Sequence, residues 1–254
     1  MFDVDAEAYD RFMGRFSVPL ASTFAEWSGV EAPARVLDVG CGTGALTGAL
    51  VGLVGSGAVA AVDPSQPFVE AAQERFPGVD VRRASAEALP FGSGTFDAAL
   101  AELVVHLMPD ATAGVYEMAR VVVPGGTLSV CVWDFSGGRA PQTRFFAALR
   151  SVAPDAEDES ERLGARHGDL ERLLRNEGLH DVIETELTVD VPFTGFDDWW
   201  EPYTHGIGPA GSQLASLPRA ERERVRRAAE ALVDDSPFTI TATAWAARGR
   251  VADR

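Results

Sequence analysis

VLDVGCGTGALT, residues Val36 to Thr47, joins a short apolar run to a cluster of glycines and then to helix-forming residues. A strand that runs into glycines and out into a helix offers a ligand its backbone rather than its side chains. Gly40, Gly42 and Gly44 permit tight turning and close approach. The start of the helix behind them presents N–H groups with no partner inside the helix. GCGTGA taken alone fits the dinucleotide fingerprint G-x-G-x-x-G/A, but that pattern is weak without its neighbours.

The same strand–helix rhythm extends outward. ARVLDV reads as a buried strand and GALTGALVGLV as the helix packed on it; AVAAVD is a second strand ending at Asp63. PFVEAAQERF is an amphipathic helix opened by Pro67, with Phe68, Ala71, Ala72 and Phe76 on one face. VDVRRA and FDAALAE are further strands, followed by a helix start at Pro109-Asp110, the helix ATAGVYEMARVV, a PGG turn at Pro124 to Gly126 and the strand TLSVCVW. Alternation of this kind predicts βαβ units and a parallel sheet. Further on, DLERLLRNEGL predicts a helix ending at Gly178, and DVIETELTVDV alternates like a strand. From about Pro192 to Pro237 the rhythm is interrupted by aromatic residues, a Gly/Pro-rich loop and the charged helix RAERERVRRAAEALV. FTITATAWAARG is expected as an edge or hairpin strand that closes the sheet.

Two acids beside the glycines choose the ligand. Asp38 ends the first strand, where a dinucleotide site would place pyrophosphate. A fixed carboxylate there repels such an anion by about 4 kcal/mol for a unit pair at roughly 4 Å and an effective dielectric of about 20. The acid suits a ligand that presents a cation, such as the amino group and sulfonium of S-adenosylmethionine. Asp63 ends the second strand, where an acid can take two ribose hydroxyls. That feature serves any adenosine ligand; Asp38 discriminates among them.

With these residues in place, the chain resembles the class I methyltransferases, and within them the broad group called methyltransferase type 11. The resemblance runs from about Tyr9 to Trp133 and is ordered: VLDVGCGTG, AVDPS, ASAEALPF, FDAALAELVVHLMPD and EMARVVVPGGTLSV. It implies a Rossmann-like, doubly wound α/β fold with a mostly parallel seven-stranded sheet, an N-terminal helical lid and an insertion before the last strand. As one domain, it would comprise a lid over residues 1–30, a cofactor-binding core over 31–135 and a substrate-side insertion over about 190–237. The implied cofactor is S-adenosyl-L-methionine, with S-adenosyl-L-homocysteine as product. Asp38, Gly40, Cys41 and Gly42 would serve the methionine end, and Asp63, Pro64 and Ser65 the adenosine. Ala86 and Glu87 would line the adenine, Glu102 and Leu103 the methionyl chain, and Tyr9 and Met13 would be lid contacts. Ser85 stands where the family often has Asp, so adenine would lose charge assistance there.

Composition bounds the partners. The chain has 254 residues, a formal net charge of −16, and basic residues that are all arginine. An acidic surface argues against nucleic acid, which recruits cations, and against anionic lipid. The two cysteines form no Cys-x-x-Cys pair, and no metal motif is visible. The acidic start MFDVDAEAYD lacks the apolar core of a secretory signal, and no apolar run reaches the ~20 residues of a membrane span. A cytoplasmic enzyme acting on a small-molecule acceptor is the expectation. His106, after the fourth strand, is the candidate catalytic base; His205 and Asp134 are further candidates. Trp133, Trp199, Trp200, Tyr203 and His205 are the candidate acceptor contacts, against a simpler reading of the aromatics as packing. Cys41 reads as packing rather than as a nucleophile. Two rival functions stand beside methyl transfer: a non-catalytic protein that binds the same nucleoside, and an NAD-dependent oxidoreductase.

Overall fold

The computed structural model describes residues 10–206, 208–233 and 236–252. Its centre is β1 (Val36–Val39), in which every residue is buried because both faces of the strand are covered. Parallel to it run β2 (Val59–Asp63) on one side and β4 (Phe96–Glu102) on the other, with β3 (Asp80–Arg83) beyond β2. β5 (Val122–Trp133) continues the parallel set beside β4. β6 (His180–Phe193) and β7 (Phe238–Arg250) complete a seven-stranded sheet of order β3-β2-β1-β4-β5-β7-β6.

β7 takes the hairpin alternative of the expectation rather than the edge one. It runs antiparallel to both β5 and β6 and is paired on both sides, so that β6 forms the edge. The small residues Ala242, Ala244, Ala246 and Ala247 are fully buried on β7, as an interior strand requires. Periodicity shows that a segment is a strand; it does not show which strands it lies between.

Among the described residues, one α-helix precedes β1 and five lie between the strands up to β6. α1 (Arg15–Ser28) follows a π-helical turn at Asp10–Gly14 and buries Phe16, Leu20, Ala21, Phe24 and Ala25, a stripe at helical spacing. It stops at Gly29, whose φ of 76° allows its N–H to close on Glu26 O at 3.1 Å. α2 (Ala45–Val54) leaves the glycine loop and packs against α1. α3 (Gln66–Arg75) follows β2 and buries Phe68, Val69 and Ala72, in keeping with its predicted face. α4 (Ala111–Val121) is capped by Asp110, whose carboxylate accepts from Ala113 N–H at 3.0 Å. α5 (Thr143–Arg150) and α6 (Asp169–Asn176) lie between β5 and β6.

Between β6 and β7 the chain forms α7 (Phe196–Trp200), a 3-10 turn at Glu201–His205, α8 (Gly208–Ser216) and α9 (Arg219–Glu230). Trp199, Trp200 and Tyr203 are buried there, and α9 packs on α5. Arg15 at the start of α1 donates to Asp198 at 2.7 Å and to Pro192 O at 2.6 Å, fastening the N-terminal helix to this segment. Among the described residues, no helix is long and apolar enough to cross a membrane.

Candidate functional site

Strand register assembles the site. Asp38 lies opposite Ala61 of β2 and Leu100 of β4. Two residues further along these parallel strands, on the same face by the period of the pleat, come Asp63 and Glu102. Glu102 lies opposite Cys131 of β5, and two residues beyond that is Trp133. Three acids and one indole therefore form a row across four neighbouring strands at their carboxyl ends, where open α/β sheets place ligands.

The acids in this row are buried and short of partners. Asp38 is 1% exposed; its Oδ2 accepts from Thr47 Oγ1 at 2.6 Å, while Oδ1 has no hydrogen bond among the described residues. Burial raises its pKa from 3.8 to about 7, with the Thr47 hydrogen bond pulling the other way and Asp63 adding repulsion. Glu102 Oε1 is likewise buried without a partner, and burial followed by the nearby Asp38 pushes its pKa well up. Asp63 is better served: Oδ2 accepts from Gly42 N–H at 2.9 Å and Oδ1 from Ser65 N–H at 2.8 Å. Burial still raises its pKa. Among the described residues no positive charge offsets these carboxyls. An unsatisfied buried polar group costs about 1–3 kcal/mol, so this arrangement asks for a cation or a set of donors.

The glycine loop is shaped by contact on one side and space on the other. Gly40 and Cys41 both donate to Val62 O, at 2.8 and 2.9 Å, which ties the loop to β2. Gly40 has a φ of 76°, and a Cβ there would come within 2.5 Å of Val104 Cγ2. Gly40→Ala is therefore expected to cost about 2–4 kcal/mol, combining the left-handed backbone with overpacking. Urea titration would measure that loss, and Val104→Ala in the same chain should restore part of it. Gly42, at a φ of 53°, has nothing within 4 Å of the corresponding position, so the loop is open toward the ligand side there. Cys41 is buried, and burial pushes its thiol pKa well up, in keeping with packing rather than nucleophilic chemistry.

The other predicted residues divide among places. Tyr9 lies outside the described residues. Met13 is buried, and its sulfur accepts from Gln142 Nε2 at 3.2 Å. Pro64 is exposed beside the buried Ser65. Ala86 is buried, and Ser85 donates its hydroxyl proton to Glu87, which also accepts from Asp110 N–H at 3.3 Å. Leu103 adopts a φ of 59°, rare for a branched side chain, and its N–H bonds Cys131 O at 2.9 Å. This turn takes the chain off β4 directly after Glu102.

His106 is buried against Phe135, with Nε2 3.6 Å from Glu159 Oε1 and Nδ1 without a partner among the described residues. Burial, aided by Arg162, lowers its pKa to about 3, and burial raises that of Glu159. The contact is thus a neutral imidazole beside a carboxyl rather than an ion pair. Two other candidates do not join the row. His205 has a side chain 47% exposed and paired with Glu201 at 2.5 Å. Asp134 is fully engaged by Gly137 N–H, Trp245 Nε1 and Arg139 Nε, and is a structural anchor.

Trp133 on one side, and Trp199 with Tyr203 on another, each pack against rings that no motif announced. Phe16 of α1 meets Trp133 edge-on at 6.5 Å, and Phe12 meets Tyr203 at 4.9 Å. Tyr203 also stacks on Phe145 at 4.1 Å and lies 5.4 Å from Trp199. Trp200 stacks on Phe196 and lies 5.9 Å from Phe145. Thr47, Gln142, Phe145, Glu159 and Arg162 are site neighbours that the sequence reading passed over. Thr47 sits inside the quoted glycine segment and could have been read as a donor for Asp38; the other four occupy a stretch with little periodicity.

The comparisons with known proteins agree with this geometry. The family described as "Methyltransferase domain" matches residues 37–130. The demethylmenaquinone methyltransferase of Clavibacter sepedonicus is 33% identical over 166 residues, covering 61% of this chain and 65% of that protein. The trans-aconitate 2-methyltransferase of Methylobacterium nodulans is 33% identical over 134 residues, covering 53% and 51%. The chain thus spans between about half and two thirds of the length of these curated relatives. The crystal structure of YcgJ from Bacillus subtilis aligns with a TM-score of 0.58 at 18% identity, over 94% of this chain and 99% of that one, which is a likeness of fold. By the order of its strands, the motif at the end of β1 and these similarities, the chain has the Rossmann-like methyltransferase fold and carries a match to the type 11 methyltransferase domain at residues 37–130.

Proposed function

We propose that this protein transfers a methyl group from S-adenosylmethionine to a small-molecule acceptor. The observation that carries the reading is the row of Asp63, Asp38 and Glu102, buried with no cation beside them among the described residues and with one orphan oxygen on each of the last two. The methionyl ammonium and the sulfonium are the charges such a row lacks, and the open side of Gly42 leaves backbone accessible there. The residues fit the cofactor. An NAD pyrophosphate would instead bring two further negative charges to the same carboxyls.

The bound cofactor supplies a methyl group already activated on sulfur, so the protein's work is alignment and exclusion of water. Asp38 and Glu102, with Gly40, Cys41, Gly42 and Leu103 around them, would hold the methionine end. Asp63 would take the ribose hydroxyls. Each of its oxygens already accepts one N–H and retains a lone pair for one more donor. Pro64 and Ser65 would flank the adenosine, and Ala86 and Glu87 the adenine. Ser85, having given its proton to Glu87, can only accept there. The chain would act as one domain, with residues 1–30 covering the core at 31–135 and about 190–237 closing the acceptor side.

His106 is the base candidate for acceptors that arrive protonated. Burial and Arg162 hold its pKa at about 3, so it would act as a base only where acceptor binding raised that value. Glu159, at 3.6 Å from Nε2, is the group that would then stabilise the imidazolium.

Calorimetric titration of S-adenosylmethionine, S-adenosylhomocysteine and NAD tests the reading. Micromolar binding of the first two, on the order of −8 kcal/mol, without binding of NAD is the expected result. NAD binding alone would replace methyl transfer by the oxidoreductase reading. Binding of the sulfur ligands with no turnover across an acceptor library would favour a non-catalytic nucleoside-binding protein.

A further inference from the structure

We propose that Arg75 and Phe76, where α3 ends, are positioning residues that hold the glycine loop in the shape that binds the cofactor. This rests on the methyltransferase reading and adds to it two residues outside the set assigned to the cofactor.

Every residue of the loop, Gly40 to Gly44, is held by one contiguous stretch of chain, Val62 to Phe76. Val62 O accepts from Gly40 and Cys41 N–H, at 2.8 and 2.9 Å. Asp63 accepts from Gly42 N–H at 2.9 Å and, on its other oxygen, from Ser65 N–H at the start of α3. Arg75, in the last turn of α3, donates from Nη1 to Thr43 O at 3.0 Å. Phe76 follows it, and its ring lies against Gly44 and Gly48, one turn apart on the chain that opens α2. A Cβ at Gly48 would stand 3.1 Å from Phe76 Cζ, and one at Gly44 would overlap the ring. Glycine inside a helix is unfavourable; the closeness of this ring accounts for it at 48.

The contacts to Gly40, Cys41 and Gly42 come from the end of β2. Those to Thr43 and Gly44 come from the other end of α3, about 15 Å along its axis, and fix the loop where it enters α2. Gly44 is the N-cap of that helix and has no side chain to cap it. The junction is held instead by Arg75, by the Phe76 ring and by Gly44 N–H on Cys41 O at 2.9 Å. A loop ordered in advance loses no backbone freedom when it binds. Where only a fraction of molecules hold the competent loop, apparent affinity falls by that fraction. Loosening the junction should therefore weaken the cofactor without deleting a group that contacts it.

The test compares Arg75→Met, Phe76→Leu and Val69→Ala by calorimetry with S-adenosylhomocysteine and by urea titration. Arg75 is exposed, so Arg75→Met leaves the core intact. Val69 is buried on the core face of the same helix, so Val69→Ala costs stability while keeping all the loop contacts named above. Arg75→Met and Phe76→Leu should each weaken binding about tenfold, the order set by the backbone freedom of one residue. Val69→Ala should stay within about twofold of wild type. Amide exchange in the free protein gives a readout independent of the cofactor. Gly44 N–H should exchange at least about tenfold faster in both variants at the junction, with Leu37 of β1 changing no more than in Val69→Ala.

Wild-type affinity in Arg75→Met and Phe76→Leu, an equal loss in Val69→Ala, or unchanged exchange at Gly44 would each overturn the positioning role while the methyltransferase reading stood. Failure of wild-type protein to bind S-adenosylhomocysteine would overturn both.

Discussion

Asp63→Ala is expected to weaken S-adenosylhomocysteine binding by about a hundredfold, the loss that one or two hydrogen bonds to a charged acceptor produce. The carboxylate stands at the meeting of two loops. It accepts from Gly42 of the glycine loop and from Ser65 at the start of α3, so its removal would release both backbones as well as the ribose hydroxyls. Asp63→Asn separates these effects. It preserves volume but turns an NH2 toward one of the two N–H donors, and should weaken binding nearly as much with a smaller loss of stability. Calorimetry and urea titration on the same samples check the pair. Full affinity in Asp63→Ala would place the nucleoside elsewhere and remove the main support for the proposed site.

The second large effect is a dependence on pH. In the folded protein Asp38 titrates at about 7 instead of 3.8. Between these values the native state keeps a proton that the unfolded chain has lost, so this group's contribution to stability falls as pH rises. The fall is about 1.4 kcal/mol per pH unit, or about 4 kcal/mol across the window from about pH 4 to about pH 7. His106 acts in the opposite sense. Its pKa drops from 6.5 to about 3, so its contribution is present above 6.5 and is lost as pH falls toward 3. The two largely cancel in the wild-type protein below pH 6.5, and the variant Asp38→Asn exposes the first. Without ligand, Asp38→Asn should match wild type near pH 4 and exceed it by about 4 kcal/mol near pH 8. A difference that does not change with pH would mean that Asp38 stays charged in the fold.

Ligand binding should reverse this protonation. An ammonium beside Asp38 favours the carboxylate, so S-adenosylhomocysteine binding at pH 6 should release protons. Calorimetry in buffers of different ionisation enthalpy reads that release directly; it should fall in Asp38→Asn, with any remainder owed to Glu102, whose pKa burial also raises.

The residues that sequence made legible are those whose position follows from backbone geometry. β1, β2 and β4 declare themselves because strands covered on both faces are continuous apolar runs; Asp63 and Glu102 end β2 and β4, and Asp38 stands one residue before the end of β1. Their alignment in one row is a matter of register between strands, which no single segment encodes. β7 is a clear strand by composition, yet its place between β5 and β6 depends on pairing across more than a hundred residues. Gln142, Glu159 and Arg162 come from the loops and the helix border between β5 and β6, where no period or cap marks a side chain as inward-facing. His205 misleads for the converse reason. It neighbours a buried aromatic group in sequence, but the 3-10 turn carrying Tyr203 inward leaves His205 facing water.

The row of polar groups and the aromatic clusters are encoded in separate stretches of chain. Asp38, Asp63, Glu102 and Trp133 all ride on the parallel strands between residues 36 and 133, whereas Phe12, Phe16, Phe145 and Tyr203 come from segments on either side of that block. Mutation can therefore remodel the clusters without touching the acids, and the central block can be kept whole while its flanks drift. For protein engineering this makes the chain a natural chassis: grafted flanking segments change the clusters, and the strands that hold the carboxyls stay as they are.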